Sequence, residues 1–164
     1  MFSKTWYAEK LRYVGTFFMD GKIASAVPTQ TAFAVLESFA QALDHDQFEA
    51  AKRYLSHDCV YRTPSRTFNG PAEIIESFKE SSSWAHSNIE RVTFVHIVED
   101  CGDCSRRIRF FDLLEHNGMR FRHVCLMHSR LNDQGLITEL KLEDLPGEKE
   151  KVNEFFARVG IVRR

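Results

Sequence analysis

No run of apolar residues in this chain approaches the length of a membrane span, and Lys4, Glu9, Lys10 and Arg12 interrupt any apolar core of signal-peptide length. No membrane partner is expected, and the cytoplasm is the default location. Four cysteines (Cys59, Cys101, Cys104 and Cys125) among 164 residues do not make a disulfide scaffold, a device of chains too small for a core. Neither sign of charge dominates: 22 basic residues face 23 acidic ones, for a net charge of -1. The one local excess is Arg106-Arg107-Ile108-Arg109 with Arg120 and Arg122, which reads as a solvated or subunit-facing sheet surface, so no nucleic-acid partner is expected. There is no internal repeat and no linker. What remains, with 43% hydrophobic residues, is one compact domain able to bury a sizeable core.

The first half reads as helices around one short strand. Tyr7, Leu11, Val14 and Phe18 have helical spacing up to a stop at Asp20-Gly21. Ala32, Val35, Leu36, Phe39, Ala40 and Leu43 form an apolar stripe that predicts a helix from about Thr31 to Leu43. Asp46-Gln47-Phe48-Glu49 is a capping-box pattern opening a short second helix. Cys59, Val60 and Tyr61 read as a strand ended by Pro64, and Gly70-Pro71-Ala72-Glu73 opens a third helix with Pro at its first position. Ser81-Ser82-Ser83-Trp84 reads as the end of that helix, without a nucleophile-elbow pattern around it.

From Asn88 onward the period becomes two. Strands are predicted over Ile89 to Glu99, Arg106 to His116, Met119 to Leu131 and Leu136 to Leu145, followed by an amphipathic helix from near Pro146 that carries Val152, Phe155, Phe156 and Val159. Helices first and an antiparallel meander afterwards make an α+β class. Asn117-Gly118 is the strongest hairpin signal, because both central residues of a type I′ turn need positive φ. With those two residues as the loop, His116 faces Met119 and Asp112 faces His123. One sheet face then reads Ile108, Phe110, Asp112 and Leu114 against Phe121, His123, Cys125 and Met127, apolar except for one Asp-His pair. If Asn132 to Gly135 form a four-residue loop, Leu131 faces Leu136, and Asp144 comes to lie opposite His123 on the same face.

Phe68-Asn69-Gly70-Pro71-Ala72-Glu73-Ile74 and Asn132-Asp133-Gln134-Gly135-Leu136-Ile137, in this element order, resemble the nuclear transport factor 2-like superfamily and its SnoaL-like branch. The resemblance runs from about Thr31 to Leu145. It divides the chain into an N-terminal extension (1–30) and a single SnoaL-like domain (31–164) that includes the added last helix. It implies a cone-shaped curved antiparallel sheet wrapped around the N-terminal helices, with a cavity inside and a homodimer through the outer sheet face. Isomerases, cyclases, dehydratases, epoxide hydrolases and binding modules share that scaffold, so the fold decides no activity. Where ketosteroid isomerase has its Tyr and two Asp, this chain has Phe39, Thr63 and Met127, which excludes that chemistry. The Asp-Arg-Asp set of limonene epoxide hydrolase would need an Arg where Ile108, Phe110 and Asp112 stand. Tyr61-Arg62-Thr63 is similar to a segment of scytalone dehydratase, whose first-helix Asp Asp44 matches more loosely.

These residues point to cofactor-free acid–base chemistry on a small hydrophobic ligand. A carboxylate accepting one ring N–H of His123 fixes the tautomer and leaves the other nitrogen as a general base. Asp112 and Asp144 are the candidate orienting carboxylates, and Tyr61 is a candidate donor to a developing enolate. Phe39, Phe78, Phe110, Phe121, Cys125 and Met127 are the expected ligand-contacting walls. The same Asp-His pair also suits a purely structural contact in a non-catalytic binding or dimerisation module. No metal is expected, since Cys101-Gly102-Asp103-Cys104 lacks a second half and Gly-Asp suits a turn. His96 and His128 are read as surface histidines.

Overall fold

The computed structural model describes residues 29–101 and 106–162. The expected helix over Tyr7 to Phe18 and the turn at Gly102-Asp103-Cys104 lie outside them. The described chain runs α1 (Thr29–Asp44), α2 (Phe48–Lys52), β1 (Leu55–Arg62), β2 (Thr67–Asn69), α3 (Gly70–Asn88), β3 (Arg91–Asp100), β4 (Arg106–His116), β5 (Met119–Leu131), β6 (Ile137–Asp144) and α4 (Glu148–Val159). Six strands form one sheet in the order β2-β1-β6-β5-β4-β3. The meander is antiparallel as expected, but the short strand expected around Cys59 to Tyr61 adds parallel to β6 and pairs with β2, a strand the sequence reading did not include, so the sheet is mixed and six strands wide.

The apolar stripe of α1 explains its position. Leu36, Phe39 and Ala40 are fully buried in the main core with Cys59, Ile74, Ile108, Ile137 and Leu140. α3 opens as its sequence predicts: Pro71 stands in the first turn, and the Glu73 carboxylate accepts the backbone N–H of Asn69 at 2.8 Å. It does not stop at the serines but continues to Asn88. Ser82 is buried there, donating to Asp46 Oδ1 at 2.6 Å, while His86 Nε2 lies 3.2 Å from Asp46 Oδ2. That corrects the capping-box expectation: α2 begins after Gln47 without a side-chain cap, because Asp46 ties the α1–α2 turn to α3 instead.

A second, smaller core joins Ala85 and Ile89 to Leu114 and to Val152, Phe155, Phe156 and Val159 of α4. β6 ends at Asp144, opposite Cys125, so β5 runs on beyond its neighbour. α4 takes up that stretch. Phe155 stacks on Phe121 with centroids 5.3 Å apart, and the Glu148 carboxylate accepts the Val124 N–H at 3.1 Å. An open strand edge is thereby satisfied by a helix side chain.

The β4–β5 hairpin follows its turn. His116 pairs with Met119 and Asp112 with His123, and both loop residues have positive φ, 49° at Asn117 and 72° at Gly118. A Cβ added to Gly118 would meet nothing within 4 Å, so substitution there costs backbone strain alone. Gly118→Ala is expected to lower stability by about 1 kcal/mol. The measurement is a urea midpoint at unchanged slope, and an unmoved midpoint would contradict this account of the turn.

Candidate active site

Between the two cores lies a cavity of about 640 Å³. Its walls come from both: Leu43, Tyr61, Phe78 and Met127 on one side, Ala85, Leu114, Val152 and Phe156 on the other. This size suits a small organic ligand, and apolar walls with few polar groups are what such sites share.

Asp112 and His123 line the cavity from neighbouring strands, with His123 Nδ1 3.0 Å from Asp112 Oδ2. A carboxylate can only accept, so Nδ1 carries the proton and Nε2 is the free nitrogen. His123 is 21% exposed and Asp112 33%, so the pair is sheltered without being sealed. Burial pushes the imidazole toward neutrality, but the hydrogen bond His123 donates to Asp112 and the charges of Asp112, Glu148 and Asp144 outweigh it and lift His123 above its ordinary range. Burial, with the nearby Cys125 and Asp144, pushes the Tyr61 hydroxyl up, so it keeps its proton at neutral pH. Burial and the charges of Asp112 and Asp144 likewise keep Cys125 a thiol, a wall rather than a nucleophile.

A second carboxylate–imidazole pair stands toward β3. His96 opposes Phe110, which places it on the same inner face as Asp112. Its Nδ1 lies 2.6 Å from Asp44 Oδ2, at the end of α1, and its Nε2 lies 3.4 Å from Glu37 Oε2. The His96 side chain is 6% exposed and that of Asp44 8%. Asp44 is itself part of the cavity wall.

Comparison with known proteins gives a fold and nothing finer. No family model matches the chain, and no curated protein does. Among solved structures, an epoxide hydrolase of the limonene type from M. tuberculosis superposes with a TM-score of 0.59 at 18% identity, over 82% of this chain and 98% of its own. A protein from Catenulispora acidiphila with the ketosteroid isomerase-like fold, solved with trimethylamine, gives 0.55 at 16% identity, over 78% and 93%. TerC, co-crystallised with polyporic acid, gives 0.57 at 12% identity, over 76% and 98%. The chain has the nuclear transport factor 2-like fold. Members of that fold include epoxide hydrolases and isomerases.

Within this nuclear transport factor 2-like scaffold the expected site residues divide. Tyr61, Phe78, Phe110, Asp112, His123, Cys125, Met127 and Asp144 all line the cavity. Phe39 does not: it is fully buried in the main core, edge-on to Phe78 at 6.3 Å. Phe121 has the expected face but is taken up by α4 through its stack on Phe155. Asp144 opposes Cys125 rather than His123. The loop is longer than four residues, because Asn132 Oδ1 accepts the N–H groups of Gln134 and Leu136 while Leu136 O accepts from Asn132 N, and a bulge follows between Arg130 and Leu131. The two offsets shift β6 by two residues, which preserves the face. His96 is a buried partner of Asp44 rather than a surface residue, whereas His128 does face outward, 41% exposed, beside Glu143.

Asp112 holds His123 protonated to higher pH, so its loss leaves burial unopposed. In an NMR titration the wild-type His123 midpoint is expected above the ordinary value of about 6.5, and in Asp112→Asn below the wild-type midpoint. A midpoint unchanged by the substitution would show that the pair is not what shifts His123. The raised midpoint also links to stability: the contribution is complete below the unfolded-state pKa and is lost as pH rises through the folded-state one.

Proposed function

We propose that this protein is a cofactor-free acid–base enzyme acting on a small hydrophobic ligand held in the cavity, an isomerisation, dehydration or cyclisation in which His123 takes a proton. The observation that carries the reading is an open cavity with Asp112 and His123 on its wall. A cavity filled by Phe39, Phe110 and Phe121 would have supported a binding module, but Phe39 and Phe121 are packed elsewhere.

In this reading the ligand lies against Phe78, Phe110 and Met127 with an acidic C–H or O–H at His123 Nε2. Asp112 accepts the hydrogen bond from Nδ1–H, which stays on the ring, and stabilises the imidazolium that forms. Tyr61, on β1 two strands from His123 in the same sheet and still protonated, is the candidate donor to the oxygen on which negative charge develops. No hydrogen bond engages that hydroxyl among the described residues. Asp144, exposed at the end of β6, and Glu148 add negative potential around the imidazolium. Cys125 and Met127 are contact residues. Glu99 with Arg107 and Arg109, and Glu115 with Arg91 and Arg120, form a surface of both charges on the outer face, which a two-fold homodimer can match to itself.

Proton abstraction is measurable without knowing the natural substrate. Incubated in D₂O with a panel of small cyclic ketones, the protein is expected to speed α-deuterium incorporation, and His123→Gln to lower that rate by about 10²-fold or more. The enzyme reading fails if the wild type accelerates exchange no more than His123→Gln does for every ketone that binds. Sedimentation is expected to give twice the 19.0 kDa chain mass; a monomer at micromolar concentration would remove the dimer from the proposal.

A further inference from the structure

The cavity holds two polar atoms that no protein group engages. Among the described residues the Tyr61 hydroxyl has no hydrogen-bond partner, and neither has His123 Nε2, since that ring is bound through Nδ1 alone. Both atoms stay open to water, unlike the sealed Asp44 Oδ1 and His96 Nε2. The Tyr61 ring stacks on Phe68 at 5.6 Å and on Phe78 at 5.2 Å, which fixes where its hydroxyl stands. An open donor and an open acceptor in a largely apolar cavity are the groups that orient a ligand.

The two do not serve one functional group. Tyr61 is level with Leu140 of β6 and Leu140 with Ser129 of β5, and His123 lies back along β5 beyond Met127 and Cys125. In a flat sheet that spacing puts their Cα atoms about 22 Å apart. Inward-reaching side chains narrow the gap, but Met127, Cys125 and Leu142 line the cavity between its ends. The charges agree: Tyr61 responds to Cys125 and Asp144, and His123 to Asp112, Glu148 and Asp144, so Asp144 alone acts on both. A carbonyl and its own α-C–H are too close together to meet both ends of that floor.

Resting on the reading of His123 as the base, we propose that the substrate is a conjugated hydroxyaryl ketone, its ring hydroxyl at His123 Nε2 and its carbonyl, beyond the ring and a short unsaturated chain, at the Tyr61 hydroxyl. The ring oxygen gives its proton to Nε2, and the electron pair left on that oxygen is delocalised through ring and alkene onto the carbonyl oxygen. Tyr61 keeps its own proton and hydrogen-bonds that oxygen as it becomes charged. Conjugation thus carries charge across a distance that neither side chain spans. A neutral ketone suits the Tyr61 end better than a carboxylate, because the charge of Asp144 acts there and repels an anion.

Three probes on the full chain separate length from conjugation: 4-(4-hydroxyphenyl)but-3-en-2-one, its saturated analogue 4-(4-hydroxyphenyl)butan-2-one, and the shorter 4′-hydroxyacetophenone. Each is titrated by NMR against the wild type and Tyr61→Phe, which keeps the aromatic stack and removes only the hydroxyl. The substitution is expected to weaken both long ketones by about fivefold or more, the worth of one hydrogen bond, and to leave the short one unchanged. Absorbance then reads the charge. The bound enone is expected to ionise at lower pH in the wild type than in Tyr61→Phe, whereas the saturated ketone ionises alike in both. Equal losses for short and long ketones, no loss for the long ones, or an enone whose ionisation ignores Tyr61 overturns the hydroxyaryl-ketone assignment, while His123 as the base stands on its exchange test. Saturable shifts at His123 with none of the three probes overturn both.

Discussion

The register of the β4–β5 hairpin is the constraint on which the candidate site depends. Side chains alternate across a sheet, so a slip of one residue would send Asp112 outward and leave His123 facing helices with no carboxylate beside it. Asn117 and Gly118 prevent that slip because they adopt the two positive φ values a two-residue turn needs. Asn117 also donates its side-chain N–H to Val159 O at 3.0 Å, which joins the turn to the end of α4. The element that sets the register is thus also held to the helix that closes the cavity.

The cavity exists because the protein has two cores. α1, α2 and the first part of α3 pack with β1 and one end of the meander, while the end of α3 packs with α4 and the other end. Space is left where neither group reaches, under Phe78 and Phe110. Asp46, through Ser82 and His86, pins the α1–α2 turn to the middle of α3 at that junction. Glu148 does the corresponding work opposite, accepting from Val124 and pairing with Lys151 at 2.7 Å. Those contacts hold its carboxylate below the usual range, so it remains charged beside His123.

Much of this was legible from local signals and little of it from distant ones. The strands β4 and β5, their faces and the Asp112–His123 pair follow from one dipeptide and strict alternation. The β5–β6 register did not, because an Asn132 side chain and a bulge lengthen the connection in a way composition does not reveal. Face alternation placed Phe121 inside but could not say that Phe155 would cover it. Phe39 has the same difficulty on a helix: an apolar stripe marks a buried side without telling core from cavity. His96 and Asp44 are 52 residues apart. Their meeting needed the β3–β4 register, whose connection over 101–105 carries no comparably decisive turn signal, together with the packing of α1 on β3.

The central claim is that His123 presents a free Nε2 to the cavity while Asp112 holds Nδ1–H. The most direct measurement is the pair of ¹⁵N shifts of the His123 ring at a pH above its midpoint, from long-range ¹H–¹⁵N correlation on selectively labelled protein. The account predicts a pyrrole-type shift at Nδ1 and a pyridine-type shift at Nε2, the latter moving when a ligand enters. The opposite assignment, with the proton on Nε2, would mean that the carboxylate does not orient the ring and would contradict the acid–base reading at its root.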